Sequence, residues 1–175
     1  VEDYQKRDGT YLNALVGRVC NRIEKGTFTI NGTEYHVPIN NGPNSLHGGI
    51  EGFSYKVFDY TLIEDGVKFH YVSKDGEEGY PGTAEIEVEY RIENEDELVV
   101  EYKAVSDKDT LLDLTQHSYF NLSGNYKRTS LEHDLKIPSD SFVEIDESGM
   151  ITDVIKNVKG SPFDFNTIKN IGKNI

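Results

Sequence analysis

Three segments carry side chains that could do chemistry. In Gly17-Arg18-Val19-Cys20-Asn21-Arg22-Ile23, two arginines stand four residues apart with an asparagine beside the second. A guanidinium is a rigid fork of donors and a carboxamide both donates and accepts, so the set could grip hydroxyl groups. The same arginines could equally form surface salt bridges on an acidic protein. In Asn44-Ser45-Leu46-His47-Gly48-Gly49, a histidine is held against paired glycines. That suggests a tight turn or close backbone approach, with the imidazole either aimed at a ligand or structural. In Thr115-Gln116-His117-Ser118-Tyr119-Phe120-Asn121-Leu122, counting by twos puts Asp113, Thr115, His117 and Tyr119 on one strand face. Leu112, Leu114 and Phe120 fall on the other face, with Gln116 and Ser118. The first face suits the wall of a polar cleft or a plain solvent face.

Other candidate chemistries are poorly represented. His36 and His70 lie between apolar strand neighbours and so point to the opposite, solvent side, and His133 sits between Glu132 and Asp134. All three are expected at the surface. No His-x-His, His-Glu-x-x-His or Cys-x-x-Cys spacing occurs, so no metal site is expected. The glycines of Asp75-Gly76-Glu77-Glu78-Gly79-Tyr80-Pro81-Gly82 are flanked by carboxylates that would repel a phosphate. Cys20, the single cysteine, reads as a small buried filler rather than a nucleophile.

The elements that must position these residues read as strands. Ala84, Ile86, Val88, Tyr90 and Ile92 alternate with Glu85, Glu87, Glu89 and Arg91, the pattern of a strand with one face on a core. Leu98, Val100, Tyr102 and Ala104 repeat it after Glu93-Asn94-Glu95-Asp96, which predicts a hairpin. Val67, Phe69 and Tyr71 form a third strand behind the turn Asp65-Gly66, with Tyr55 to Ile63 as its partner. Asn31-Gly32, between Phe28 to Ile30 and Tyr35 to Ile39, is a strong two-residue hairpin signal. Leu111 to Leu122 and Leu131 to Ile137 are predicted as further strands, and Gly160 to Ile175 ends without an evident closing element. No stretch holds a helical period, so the prediction is all-β, with antiparallel strands in stacked sheets.

The 175 residues are enough for one domain, 1–175, with one sizeable core. Eighteen basic against 31 acidic residues leave a net charge of −13. Such a surface repels nucleic acid and anionic membrane, and disfavours a phosphorylated substrate. No apolar run approaches the ~18 residues of a membrane span. One thiol forms no internal disulfide, and a cytoplasmic location is the expectation. No signal peptide is visible, and the first residue is Val1 rather than Met.

Taken together, the segments resemble the galactose mutarotase (aldose 1-epimerase) family. Gly17 to Ile23, Asn44 to Gly49, Asp75 to Gly82 and Leu114 to Leu122 match in the family's order and at similar spacing. The resemblance runs from about Tyr4 to about Phe165. It implies an antiparallel β-supersandwich, present here in part, and interconversion of the α and β anomers of aldohexoses such as galactose and glucose without a cofactor. By the family pattern, His117 donates a proton to the ring oxygen, and His47 binds and polarises the sugar beside it. Asn21 and Arg22 match the pair that bonds sugar hydroxyls, Ser118 and Tyr119 line the same cleft, and Arg18 is structural.

Two departures from the family pattern stand out. Gln116 occupies a position where the family usually has Asn, which keeps the amide and lengthens its reach. Family members also extend well past both ends of these residues, and their catalytic glutamate and a sugar-binding aspartate lie beyond Ile175. Glu77, Glu78 and Asp113 are available carboxylates, but none fits the family's motif for the base. The chain therefore reads as a central fragment whose partners include the remaining parts of its own polypeptide. Its cut sheets would expose strand edges that favour aggregation or a partner chain. The competing readings are a non-catalytic carbohydrate-binding module on the same scaffold and a hexose-6-phosphate epimerase.

Overall fold

A computed structural model of the chain describes residues 9–124 and 127–174. Tyr4, where the resemblance begins, lies outside them. The chain divides into two compact units, 1–117 and 118–175.

Among the described residues, the first unit contains ten strands: β1 (Ala14–Val16), β2 (Arg22–Ile23), β3 (Thr27–Ile30), β4 (Thr33–His36), β5 (Ser45–Leu46), β6 (Asp59–Ile63), β7 (Gly66–Ser73), β8 (Ala84–Glu93), β9 (Glu97–Ser106) and β10 (Thr115–His117). β6 to β9 form a four-stranded antiparallel meander in sequence order. Its registers stack Tyr71, Ile86 and Ala104 in one row and Phe69, Val88 and Tyr102 in the next. The period-two pattern thus places one set of apolar side chains on one face, as the alternation predicts. Ala84, Ile86 and Val88 are fully buried there with Phe53, and Leu15, Phe58, Leu112 and Leu114 pack around them. A buried aliphatic side chain of this size contributes roughly 1.5–3 kcal/mol, so β8 anchors the unit. The opposite face carries His70, Glu87 and Lys103 in one row and Lys68, Glu89 and Glu101 in another. Arg91 bridges Glu89 at 2.5 Å and Glu101 at 3.2 Å, so cations interleave with the acidic stripe.

The β3–β4 hairpin closes at Asn31-Gly32, both with positive φ (50° and 79°), as the two-residue turn requires. Two expected strands are shorter than their sequence patterns. The segment from Tyr55 begins in a 3-10 turn, Phe53–Tyr55, and pairing starts only at Asp59. The pattern from Leu111 to Leu122 yields only β10. Upstream, Asp113 donates its N–H to the Arg18 carbonyl and accepts from Cys20 N–H, both at 2.8 Å, as an isolated parallel bridge rather than a ladder. Downstream, Ala14 stands opposite His117, Asn13 N–H still donates to the His117 carbonyl at 3.0 Å, and a turn from Tyr11 to Ala14 then takes the partner out of the ladder.

The second unit holds β11 (Asp134–Leu135), β12 (Ser141–Ile145), β13 (Ile151–Asn157) and β14 (Lys169–Asn170). β12 and β13 form an antiparallel pair with a register shift between Val143 and Ile145. Of the expected Leu131 to Ile137 strand, Asp134 and Leu135 form the ladder, flanked by single backbone bonds from Ile171 N–H to the His133 carbonyl (2.9 Å) and from Ile137 N–H to the Phe165 carbonyl (2.8 Å). Thr129 Oγ1 accepts Leu131 N–H at 3.3 Å and turns the chain through Ser130–Glu132 first. Gly160 to Ile175 does contain a closing element, because Lys169 and Asn170 pair with Leu135 and Asp134. His133 is not a plain surface residue: it is partly buried, and its Nε2 accepts Leu122 N–H at 3.2 Å. Among the described residues, no helix is long and apolar enough to cross a membrane.

Candidate functional site

The first unit gathers Asn21, Arg22, His47 and His117 from two short pairings, β2 with β5 and β1 with β10. β2 pairs with β5 so that Arg22 stands opposite Leu46, one residue before His47. Beyond that ladder, His47 N–H donates to the Asn21 carbonyl, and Asn21 N–H donates to His47 Nδ1, each at 3.0 Å. Both residues have positive φ (59° for Asn21 and 52° for His47), an uncommon conformation for residues with a side chain. β10 then delivers His117, and the two imidazoles meet edge to face with ring centroids 5.3 Å apart.

The loop behind His47 is tightly specified. Asn40 accepts Leu46 N–H at 2.7 Å and donates to the carbonyls of Leu46 (3.0 Å) and Gly49 (2.8 Å). Gly48 (φ +85°) lies so close to the Gly17 carbonyl that a Cβ would overlap it. Glu78 caps the loop by accepting Ile50 N–H at 2.7 Å. Gly48 therefore reflects close backbone approach, one of the two alternatives the sequence left open, while a Cβ on Gly49 would overlap the Glu78 carboxylate.

Arg22 is aimed by its neighbours. Its Nε donates to Asn41 Oδ1 at 3.0 Å, and Nη1 donates to Asn21 Oδ1 at 3.3 Å. Arg18, the other arginine of the segment, is only 2 % exposed. It donates to Ser73 Oγ and to the carbonyls of Ser73, Lys74 and Pro81, all at 2.9 Å. It ties the β7 end to the Pro81 turn, so its role is structural.

Protonation follows from this geometry. Burial, then the neighbouring His117 and Arg22, pushes the His47 pKa down from 6.5 to about 4. Because Nδ1 accepts a backbone N–H, the proton of the neutral ring sits on Nε2. Near neutral pH, His47 is thus a neutral hydrogen-bond donor, able to polarise an oxygen without adding a charge beside Arg22.

Gln116 points away from His117, as strand alternation demands. Its Oε1 accepts the Tyr90 hydroxyl and its Nε2 donates to the Asn13 carbonyl at 2.7 Å. The longer amide therefore pins β10 between β8 and the entry to β1. The three available carboxylates are all engaged. Glu77 accepts the Tyr71 hydroxyl at 2.9 Å and pairs with Lys56 at 3.4 Å, and Glu78 holds Ile50 N–H. Asp113 accepts Cys20 Sγ–H at 3.1 Å. Cys20 is accordingly no buried filler: it is partly exposed, and burial, then the Asp113 hydrogen bond and charge, push its thiol up to about 11.

Tyr11 and Asn41 are the neighbours that motif reading missed. The Tyr11 ring lies 4.7 Å from His47 and 6.1 Å from His117 between centroids. Neither residue belongs to a motif or a periodic run, so only the folded geometry exposes them. Ser118 and Tyr119 open the second unit, Ser118 partly buried and Tyr119 60 % exposed. Among the described residues, no three of His, Cys, Asp and Glu converge to hold a metal ion.

The family model described as aldose 1-epimerase matches residues 1–175. The galactose mutarotase of Bos taurus is 46% identical over 165 residues, 94% of this chain and 48% of the relative. A GalM/aldose epimerase homologue from C. elegans superposes with a TM-score of 0.89 at 34% identity, over 98% of this chain and 52% of that one. The galactose 1-epimerase of Lactobacillus acidophilus gives 0.87 at 30% identity, over 99% and 52%. The chain spans about half the length of the relatives it matches. With its antiparallel β fold and a match along its whole length, the chain belongs to the aldose 1-epimerase family.

Proposed function

We propose that this chain supplies the acid half of a mutarotase active site that interconverts the α and β anomers of aldohexoses such as galactose and glucose. The observation that carries the reading is the edge-to-face pair of His47 and His117, with Asn21 and Arg22 held against His47. In the forward step a base removes the anomeric hydroxyl proton and the C1 carbonyl forms. The bond between C1 and the ring oxygen breaks, its electron pair moves to that oxygen, and His117 protonates it. Rotation about C1–C2 and the reverse transfers then give the other anomer. His47 Nε2–H donates to the sugar beside the ring oxygen, and Arg22 and Asn21 bond its hydroxyls. Ser118 and Tyr119 are assigned to sugar contact on the family motif alone.

The base is a carboxylate from polypeptide outside these 175 residues. Glu77, Glu78 and Asp113 are each committed to local partners, which supports that assignment. The two units are read as parts of one mutarotase-like domain acting in the cytoplasm without a cofactor. Nucleic acid and membrane are not partners in this reading; the net charge of −13 supports that.

The test is polarimetry of freshly dissolved α-D-galactose with the natural full-length polypeptide, corrected for spontaneous mutarotation. Acceleration is expected, and His117→Ala should lower kcat by at least about 10²-fold. Full activity in that variant would remove His117 from the mechanism. Sugar binding without anomer exchange in the unmodified protein would make it a binding module.

A further inference from the structure

We infer that Tyr11 is a positioning residue for the imidazole pair, its ring setting the orientation of His47 against His117. This inference rests on the mutarotase reading for its kinetic consequence, but its structural part does not.

Three observations converge on Tyr11. Its ring meets His47 edge to face at 4.7 Å and His117 at 6.1 Å, so one aromatic surface contacts both rings. The Tyr55 ring, 6.3 Å away and tilted by 46°, is a further aromatic neighbour of Tyr11. Its backbone has φ +50°, a conformation that is an outlier for a bulky aromatic residue. Asn13, Asn21 and His47, on the segments that meet at the imidazoles, share that sign (53°, 59° and 52°), as do Lys25, Asn31, Glu78, Asn94 and Glu95 elsewhere. Such conformations persist where the surroundings over-determine them, and they concentrate at functional sites.

The physical role follows from the contacts. His47 is held at Nδ1 by Asn21 N–H, a single bond about which the ring can still tilt. The Tyr11 ring, set at 76° to that of His47, blocks one direction of tilt and the His117 ring blocks another. Tyr11 also covers part of the His47 ring from water, and so helps keep it neutral beside Arg22 and His117. Removing the ring should let His47 tilt and hydrate, changing turnover more than sugar affinity.

The experiment uses the natural full-length polypeptide with Tyr11→Leu and Tyr11→Phe, read by polarimetry and by NMR titration of the histidine Cε1 protons. In Tyr11→Leu, kcat should fall about tenfold with KM within about twofold, the signature of lost orientation. The His47 midpoint should rise from about 4 towards 6.5. Tyr11→Phe keeps the ring and should recover most of the lost kcat. An unchanged His47 midpoint together with unchanged kcat in Tyr11→Leu would overturn the inference. If Tyr11→Leu does not fold, the wild type decides. A nuclear Overhauser contact between the Tyr11 and His47 rings supports the role, and its absence refutes it. Absence of mutarotation in the wild type would sink the functional reading alone, because the titration still reports on Tyr11.

Discussion

His47 Nδ1 accepts the backbone N–H of Asn21 at 3.0 Å while the His117 ring stands nearly perpendicular to it, 5.3 Å away. One imidazole is thereby committed to a single tautomer and the other faces it. The folded state holds His47 neutral, with its pKa lowered from 6.5 to about 4 by burial and then by His117 and Arg22.

The sign of the stability effect follows directly. Between those two values the unfolded chain binds a proton at His47 that the folded chain excludes. The contribution of His47 to stability is therefore fully present above pH 6.5 and is lost as pH falls towards about 4. His47→Gln cannot titrate and should show a flatter fall in urea midpoint between pH 7 and pH 4 than the wild type. Parallel curves would show that His47 is not held neutral by the fold.

Asn41 controls the aim of Arg22 through one bond, Nε to Oδ1 at 3.0 Å. Asn41→Leu removes the acceptor and leaves the guanidinium to swing about its remaining contact with Asn21. A hydrogen bond to a charged group contributes about 1.5–3 kcal/mol, so KM for the sugar should rise roughly tenfold or more. Turnover at saturation should change little, since Arg22 grips hydroxyls rather than moving protons. A variant that lowers kcat at unchanged KM would place Arg22 nearer the reacting bond.

Much of this was legible from residue order, and the boundary is physical. Alternation from Ala84 to Ile92 marks a strand because Ala84, Ile86 and Val88 on one face of β8 are buried while the charged side chains between them point to the other. Asn31-Gly32 marks its hairpin because the turn needs two residues with positive φ. The 111–122 pattern misleads because periodicity reports side-chain direction and not whether a partner strand exists. Asp113 spends its backbone on Arg18 and Cys20, and β1 runs out at Ala14. Tyr11, Asn40 and Asn41 leave no periodic trace at all. Tyr11 and Asn41 act on residues well separated in sequence, and Asn40 through three bonds to the loop six to nine residues on, contacts that only the assembled fold brings about.

Arg18 tests whether the first of the two arginines is purely structural. Its guanidinium reaches Ser73 Oγ and the carbonyls of Ser73, Lys74 and Pro81 from a position 2 % exposed. A lysine ammonium is a point charge on a flexible stem and cannot present that fork. Arg18→Lys should cost roughly 2–4 kcal/mol, because it leaves several buried acceptors unpaired. Urea denaturation of the variant would show this as a lower midpoint. A midpoint shift within about 0.5 kcal/mol, the range of an ordinary surface substitution, would mean that the acceptors find other donors.

Cys20 precedes Asn21, yet its chemistry is suppressed. Its Sγ donates to Asp113 Oδ2 at 3.1 Å, and its pKa is pushed up to about 11 by burial, then by that hydrogen bond and the carboxylate charge. The thiolate is the reactive form, so at pH 8 the folded protein should react with a disulfide reagent far more slowly than a free cysteine. Asp113→Asn removes the charge while keeping an acceptor, and should speed the reaction several-fold without altering the fold. Burial would still hold the variant below the rate of the unfolded chain. Equal rates in the wild type and Asp113→Asn would assign the suppression to burial alone and leave Asp113 with only its backbone role, joining β10 to the Arg18–Cys20 segment.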